Sequence, residues 1–375
     1  MRIGVDARFY NKGSAGLARY TQELINHLAN ERTDHTFVIF LREKDRDAFT
    51  IDKPNIEVRT TTIGHYTVRE QLLLNRELKQ AKLDLMHFTN FNFPITYGGP
   101  FIISINDLTL LRFAGRGRTS KLKTRPMRLV MQRGAQRSSE ILTYSEFQKE
   151  LIVKEFGVSP DKVKVVYLAV DAQFRTLPEP EVTAFRREKG LTMPFVMYTG
   201  QWRQHKNLVR LLKAFRKVRT QMETKLVLVG KIDHAFPIIP DTIREQHLEN
   251  DVILTDFIED VDLPRYYNAA DLFVFPSLSE GFGLPPLEAM ACGTTVAASL
   301  APPLPEILGA AAAYFDPLEV DAIAETLLRL LQDPAERASY REKGFAQVRK
   351  YSWQRTAAET LAAYDDAAAR LREDV

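Results

Sequence analysis

The chain has 375 residues, 45% hydrophobic and 26% charged, with a net charge of +3. That length exceeds what one core ordinarily holds, so two domains are expected, and the ordinary globular composition excludes a disordered or disulfide-stapled chain. The single cysteine, Cys292, rules out an intrachain disulfide and points to a reducing compartment. No run of about 18 apolar residues is present to span a bilayer. No basic-then-apolar leader precedes the first strand, so a cytoplasmic location is the expectation.

The charge is unevenly divided. Residues 1–180 hold 28 Lys+Arg against 20 Asp+Glu, whereas the remainder holds 23 against 28. A basic half joined to an acidic half suggests that one half meets an anionic surface or substrate.

Taken in order, the first half alternates apolar strands with amphipathic helices. Strands are predicted at Arg2–Asp6, His35–Leu41, Asn55–Thr61, Leu83–Phe88, Phe101–Asn106, Glu140–Tyr144 and Val163–Val170. Helices are predicted at Leu17–Ala29, Val68–Ala81, Ser120–Arg137 and Glu146–Phe156. Such alternation predicts a parallel sheet covered by helices on both faces. The rhythm lapses over Asp171–Pro180, which reads as a linker. It resumes with strands at Phe195–Thr199, Leu226–Val229, Val252–Phe257, Leu272–Phe275, Thr295–Ala298 and Ala312–Phe315. The helices there are Asn207–Thr220, Leu263–Ala269, Pro286–Ala291, Val320–Gln332 and Ala335–Lys350, and Ser352–Arg372 reads as a long terminal helix. Two Rossmann-like sheets in tandem follow, in an α/β chain with its site in a deep cleft between them. The boundaries are 1–174 for the first domain, 175–352 for the second and 353–375 for the tail.

The most informative stretch is LFVFPSLSEGFGLPPLEAMACG, Leu272–Gly293. A buried strand runs into a glycine turn and then a helix that opens with Pro285 and Pro286, where a missing N–H is tolerated. Strand, glycine turn and helix start present backbone N–H groups and a positive helix end to an anion. Glu280 and Glu288 frame the turn, and a carboxylate accepts two hydrogen bonds at once, which suits a vicinal diol. A phosphate flanked by sugars, a nucleotide-sugar, fits this loop. Gly281 and Gly283 alone also fit a plain tight turn.

Other stretches add to this. Lys12-Gly13-Ser14-Ala15-Gly16 is a glycine turn between the first strand and the first helix. Asn106-Asp107 ends the strand from Phe101; Asp107 suits either a sugar hydroxyl or the cap of the next turn. From Arg112 to Arg137 stand nine basic residues and no acid: Arg112, Arg116, Arg118, Lys121, Lys123, Arg125, Arg128, Arg133 and Arg137. A block of one sign repels itself and favours a partner, either anionic lipid headgroups or a lipid-linked diphosphate acceptor. No nucleic-acid module surrounds it, so nucleic acid is not expected. Asp45-Arg46-Asp47 and Asp260-Val261-Asp262 fit a three-residue metal motif, but they lie in apparent loops and read as surface acids. The histidines show no metal spacing.

The run EGFGLPPLEAMACG, with Glu280 and Glu288 at its two key places, closely resembles the signature of glycosyltransferase family 4, the retaining GT-B enzymes. The resemblance covers nearly the whole chain. It implies a GT-B fold whose terminal helix crosses back onto the first domain. It also implies transfer of a hexose from a nucleotide diphosphate sugar to an acceptor hydroxyl, with retention, no cofactor and no bound metal.

By resemblance, Gly13 and Gly16 lie near the donor phosphates, and Glu288 holds the ribose. Glu280, with Gly281, Phe282, Gly283 and Leu284, holds the transferred sugar and its phosphate. In YTGQWRQHKN, Lys206 matches the diphosphate-binding lysine. Gln201 stands at the usual arginine place, so Arg203 is the candidate second cation. Gly230-Lys231 and Phe257-Ile258 end strands on the same edge, the latter receiving the base with Leu263 nearby. Family members commonly place a histidine where this chain has Asn106, and asparagine cannot shuttle a proton near neutral pH.

The opening DARFYNKGSAGLARYT and the HKN run are similar to mannosyltransferases of surface-polysaccharide assembly. That makes GDP-mannose the expected donor, with a UDP-sugar as the alternative. A glycan or lipid-linked acceptor and contact with the inner face of the membrane complete the expectation. A non-hydrolysing UDP-sugar epimerase and a catalytically silent nucleotide-sugar binder are the readings of another class.

Overall fold

A computed structural model describes residues 1–10, 16–113, 121–230, 237–256 and 258–373. The chain divides into two compact units. One joins Met1–Leu168 to Ser352–Val375; the other is Ala169–Tyr351.

The first unit holds β1 (Arg2–Asp6), β2 (Thr36–Arg42), β3 (Ile56–Thr61), β4 (Leu85–Phe88), β5 (Phe101–Ser104), β6 (Ile141–Thr143) and β7 (Val163–Val165). They form one parallel sheet in the order β3-β2-β1-β4-β5-β6-β7. The second unit holds β8 (Phe195–Thr199), β9 (Lys225–Val229), β10 (Val252–Leu254), β11 (Leu272–Phe275), β12 (Val296–Ser299) and β13 (Ala312–Phe315). Its sheet is also parallel, in the order β10-β9-β8-β11-β12-β13. Central strands such as LFVF (β11) and FVMYT (β8) are buried throughout, as continuous apolar runs between two helical layers must be.

In both sheets the first strand sits inside, and the chain winds outward on one side before restarting on the other. The reversal falls between β1 and β4 in one unit and between β8 and β11 in the other. The crevice beyond the strand carboxyl ends at such a reversal is where open α/β sheets bind ligands.

All thirteen predicted strands are present, although several are shorter than expected. β5 stops at Ser104, β7 at Val165 and β10 at Leu254, where the paired register ends. The helix Leu208–Arg219 buries Leu208, Leu211, Leu212, Phe215 and Val218, a spacing that keeps one face on the sheet. Glu146–Phe156 starts where the Ser145 side chain accepts from the Gln148 N–H at 3.2 Å and ends at Gly157, left-handed at φ 65°.

Several features depart from expectation. The region predicted as one helix over Val68–Ala81 begins as a π-helix, Glu70–Leu74, and continues as an α-helix, Asn75–Gln80. Four helices escaped prediction, Thr109–Arg112, Glu179–Glu188, Ile238–Glu245 and Leu304–Leu308, and prolines at 178, 180, 237 and 240 stand at the starts of the second and third. The unit boundary lies at Leu168, ahead of the predicted linker. Phe174 packs edge-on against Tyr267, and Asn268 bonds both the Arg175 carbonyl and the Leu177 N–H. These contacts fasten 171–177 to the second unit.

The terminal helix, Trp353–Glu373, packs on the first unit. Its Tyr364 hydroxyl lies 2.8 Å from His87 Nδ1 on β4, and His87 Nε2 lies 2.9 Å from Ser104 Oγ on β5. Tyr20 Oη reaches the same serine at 3.2 Å. Arg370 pairs with the buried Glu140 at 3.0 Å, and Thr356 donates to the Tyr167 carbonyl at 2.7 Å.

Burial holds the His87 imidazole neutral, with its pKa pushed down to about 3, and only the distant Asp6 charge opposes this. In the unfolded chain His87 takes up a proton near pH 6.5, so its contribution is present above that pH and is lost as the pH falls toward 3. One proton corresponds to about 1.4 kcal/mol per pH unit. His87→Gln should flatten the dependence of unfolding free energy on pH between 6.5 and 4 by up to that slope, read from urea melts. An unchanged slope would exclude His87 as a source of acid sensitivity.

Candidate functional site

In the second unit, the loops after β8 and β11 meet at the reversal point. Gly200, at φ 144°, and Gly230, at φ 143°, end the adjacent strands β8 and β9. A Cβ on Gly230 would stand 2.6 Å from the Gly200 carbonyl oxygen, so only glycine lets these two turns approach. Past Gly200, a short 3-10 turn, Gln204–Lys206, leads into Asn207, left-handed at φ 61°. The Asn207 amide donates to the carbonyls of Pro276 (3.1 Å) and Pro317 (2.7 Å), and the Leu278 N–H donates to the His205 carbonyl (2.7 Å). These bonds tie the loop after β8 to the loop after β11.

That tie sets the central contact. Lys206 Nζ lies 2.6 Å from Glu280 Oε1, both side chains mostly buried, and 5.3 Å from the centre of the Phe275 ring. His205 alongside is neutral. Burial lowers its pKa first and the neighbouring Lys206 charge second, to about 4 despite Glu280. Arg203, the candidate second cation, is exposed and donates at 2.9 Å to Oε1 of Gln201, the residue at the usual arginine place.

After Glu280 the chain turns through Gly281, the buried Phe282 and Gly283, left-handed at φ 101°, into the helix Leu284–Ala291. Its N-cap residue is a glycine and so offers no side-chain cap of its own. Pro285 and Pro286 remove two of the N–H groups that would otherwise lack partners, which concentrates the remaining positive end at Gly283 and Leu284. Glu288, 4% exposed, receives a hydrogen bond from Tyr267 Oη at 2.9 Å on Oε2. Tyr267 is fully buried, stacked edge-on against Phe273 and Phe174, and its carbonyl accepts from Thr294. Tyr267 thus fixes one oxygen of Glu288. Sequence reading missed it, because a tyrosine in a helix looks like core. Its place 21 residues before the glutamate carries no local signal. Ile258 and Leu263, both half-buried, flank the start of the helix Leu263–Ala269, and Gly230 forms an isolated bridge with Asp256.

The first unit carries the other predicted residues. Gly16 opens the helix Gly16–Leu28. Asp107 Oδ1 accepts from the Thr109 N–H at 2.9 Å, so it makes the turn-capping contact, and the buried Asn106 Oδ1 has no hydrogen-bond partner among the described residues. Arg112 lies over Phe147, Arg128 pairs with Glu155 at 2.8 Å, and Arg125 and Arg133 are exposed. Arg137 is spent on the fold, donating to the carbonyls of Ile95 and Tyr97. Gly13, Arg116, Arg118, Lys231 and Phe257 lie outside the described residues, as do the side chains of Lys121 and Lys123. One expectation is corrected: Asp45 is no surface acid but is buried and paired with Arg42 at 2.8 Å. Among the described residues, no cluster of His, Cys, Asp and Glu is arranged to hold a metal ion.

A second polar cluster in this unit was also missed. Beyond the carboxyl end of β1, the fully buried Arg8 is gripped by Asp6 (2.8 and 2.6 Å) and Glu70 (2.6 Å). Glu70 also accepts from Asn92 and from the Tyr66 N–H. Burial raises the Asp6 carboxyl, but the Arg8 guanidinium outweighs it and holds the pKa below the usual carboxylate range. His65 stacks on Phe9 with centroids 3.5 Å apart. The sequence signal is Asp6-Ala-Arg8 directly after a strand, whereas Glu70, 62 residues on, is visible only in three dimensions.

Two substitutions test this geometry. Tyr267→Phe should raise the KM for the donor several-fold while kcat changes little, because Glu288 loses orientation and not charge; an unchanged KM would exclude that positioning role. At Gly283 a Cβ would meet Leu304 Cδ2 at 2.7 Å in a backbone conformation that side chains avoid. Gly283→Ala should therefore cost about 1–3 kcal/mol in chemical denaturation.

Comparison with known proteins agrees with the geometry. A family model described as "Glycosyltransferase Family 4" matches residues 14–174, and one described as "Glycosyl transferases group 1" matches 181–347. The O-antigen chain mannosyltransferase B of Escherichia coli is 28% identical over 93% of this chain and 95% of its own length. The MMP alpha-(1->4)-mannosyltransferase of Mycolicibacterium hassiacum is 32% identical over 64% of this chain and 57% of its own length. Among solved structures, sucrose-phosphate synthase from Thermosynechococcus elongatus superposes with a TM-score of 0.77 at 20% identity, covering 98% of this chain and 99% of that one. The HepE protein of Anabaena in complex with UDP and glucose gives 0.76 at 19% identity, covering 97% and 100%. With two parallel α/β units, a glycine turn framed by Glu280 and Glu288, and these matches over both halves, the chain belongs to glycosyltransferase family 4 and is a glycosyltransferase of GT-B fold.

Proposed function

We propose that this enzyme transfers mannose from GDP-mannose to a hydroxyl of a glycan or lipid-linked saccharide in surface-polysaccharide assembly, with retention and without a metal. The observation that carries the transfer reading is the Lys206–Glu280 pair beside the helix start at Gly283. The donor diphosphate takes over the Lys206 ammonium, and Glu280, released from it, accepts from a hydroxyl of the hexose. The backbone at Gly281, Phe282, Gly283 and Leu284 approaches the phosphates, with Arg203 as the further cation. Glu288, held in place by the Tyr267 hydroxyl, holds the ribose diol. Gly230, Ile258 and Leu263 border the base.

In the transfer step, the bond from the anomeric carbon to the diphosphate oxygen breaks and the acceptor oxygen bonds to the same face. The acceptor proton passes to the departing phosphate oxygen. No protein nucleophile is required, and Asn106 has no proton to give. Charge develops on the leaving group, so a preplaced ammonium stabilises the transition state more than the ground state.

The mannose assignment rests on the similarity to the two mannosyltransferases; the UDP-bound HepE structure is the observation favouring a UDP-sugar instead. No helix among the described residues is long and apolar enough to cross a membrane. Contact with an anionic bilayer on the cytoplasmic side would instead come from the basic residues of the helix Lys121–Arg137.

Lys206→Ala should lower kcat/KM by about 10²–10³-fold, the size seen when one transition-state electrostatic contact is removed. Turnover within a few-fold of wild type would exclude the leaving-group role. Titration calorimetry with GDP and UDP decides the donor: binding of UDP alone would overturn GDP-mannose and leave the transferase reading in place.

A further inference from the structure

The segment Val68–Gln80 of the first unit has three faces. Glu70, Leu74 and Leu78 are buried. Gln71 bonds the Phe93 carbonyl and the Ile95 N–H, and Asn75 bonds the Thr96 carbonyl, so those two face the 93–97 loop. The third face holds large apolar side chains in the open: Val68 is 75% exposed, Leu72 70% and Leu73 44%, with Ile95 on the adjoining loop at 38%. The π-helical turn matters here, since its wider winding sets Leu72 and Leu73 side by side on the outside. Arg69, Arg76 and Lys79 are exposed on the same segment. Of its acids, Glu70 is buried on Arg8 and Glu77 is half-buried.

We infer that this face is a wedge that inserts into the interfacial region of an anionic lipid bilayer. Exposed leucine and valine interleaved with cations describe a helix lying in a membrane surface. The charge pattern argues against a second copy of this chain, because a twofold contact would set Arg69 and Arg76 against like charges, whereas anionic headgroups complement them. The surface is continuous with a second basic element. Arg137, the last residue of the helix Lys121–Arg137, bonds the carbonyls of Ile95 and Tyr97, and that helix exposes Arg125, Arg128 and Leu129.

The wedge also lies close to the sheet edge. The same helix grips Arg8 through Glu70 on its inner side, so about 10 Å, one helix diameter, separates the lipid-facing side from the carboxyl end of β1. The inference deepens the membrane contact proposed above and rests on it for the sign of the lipid charge.

The test is co-sedimentation of the full chain with vesicles of phosphatidylglycerol and phosphatidylcholine, against vesicles of phosphatidylcholine alone. Wild type should bind the anionic vesicles. Leu72→Asp/Leu73→Asp, and the milder Leu72→Ser/Leu73→Ser, should bind at least tenfold more weakly. Both variants should keep the wild-type melting temperature and nucleoside diphosphate affinity, since these side chains are exposed and far in sequence from the donor residues. Leucine variants that bind like wild type would overturn the wedge. If Arg125→Ala/Arg128→Ala alone lost binding, the charge contact would stand without it. Wild type that ignores anionic vesicles would overturn both. A wild-type dimer made monomeric by the leucine changes would reassign the face to self-association. Vesicle binding with no detectable glycosyl transfer would count against the proposed function and not against the wedge.

Discussion

The arrangement of the second unit depends on one short contact, the 2.6 Å approach of Lys206 Nζ to Glu280 Oε1. As a source of stability such a pair is weak, because two ions give up much of their hydration to meet. Its value is positional. The two loops that carry it are joined by backbone and amide bonds from Asn207 and His205 that do not involve either charge. The scaffold therefore persists if the ion pair opens. A mostly buried ammonium that has, among the described residues, a single anion beside it can exchange that anion for another, and a diphosphate brings more charge than a carboxylate does. In the proposed donor complex the same event takes the ammonium from Glu280, and the carboxylate turns to hydroxyls of the hexose. One rearrangement converts a self-neutralised site into two complementary ones.

Sheet topology explains why the chemistry gathers there. Each strand of a parallel sheet delivers its following loop to the same edge, but only at the reversal of strand order do two loops diverge and leave room. In the second unit those loops follow β8 and β11 and contain Lys206 and Glu280. In the first they follow β1 and β4 and contain Arg8 with Asp6 and, beyond β4, Asn92. Equivalent places in the two sheets thus hold buried charge, one as a single pair and the other as a cation between two acids.

Much of this was legible in the sequence. Runs four to eight residues long gave the strands, most plainly the central ones, because a parallel strand buried on both faces has no choice of residue type. The strand, turn and helix around Glu280 and Glu288 were legible because one continuous segment supplies all three. What stayed hidden depends on distant partners: Tyr267 behind Glu288, Glu70 on Arg8, Tyr364 on His87. Each is a polar group whose purpose lies in another element. The helices at Glu179 and Ile238 were hidden for a different reason. Their prolines occupy or precede the first turn, where the missing N–H has no partner to lose, and only the following residues show that a helix continues.

The buried cluster around Arg8 then stands out as a cost that packing does not explain. An ion triad of this kind is commonly no more stable than well-fitted apolar side chains of similar volume, and removing one member leaves a buried charge without compensation. Asp6 and Glu70 both face Arg8, giving a cluster of net negative charge below the surface, with His65 kept neutral by burial beside it. Neutral His65 matters to the balance, since its protonation would place a second cation next to Arg8. The cluster holds Glu70 at a fixed point on the helix whose outer face is apolar and basic. Arg8 is anchored to β1 through Asp6, so the outer face is referenced to the sheet by ion pairs and not only by the packing of Leu74 and Leu78. A surface that must meet something outside the protein at a set distance from the strand ends gains from that rigidity, and stability alone would not require it.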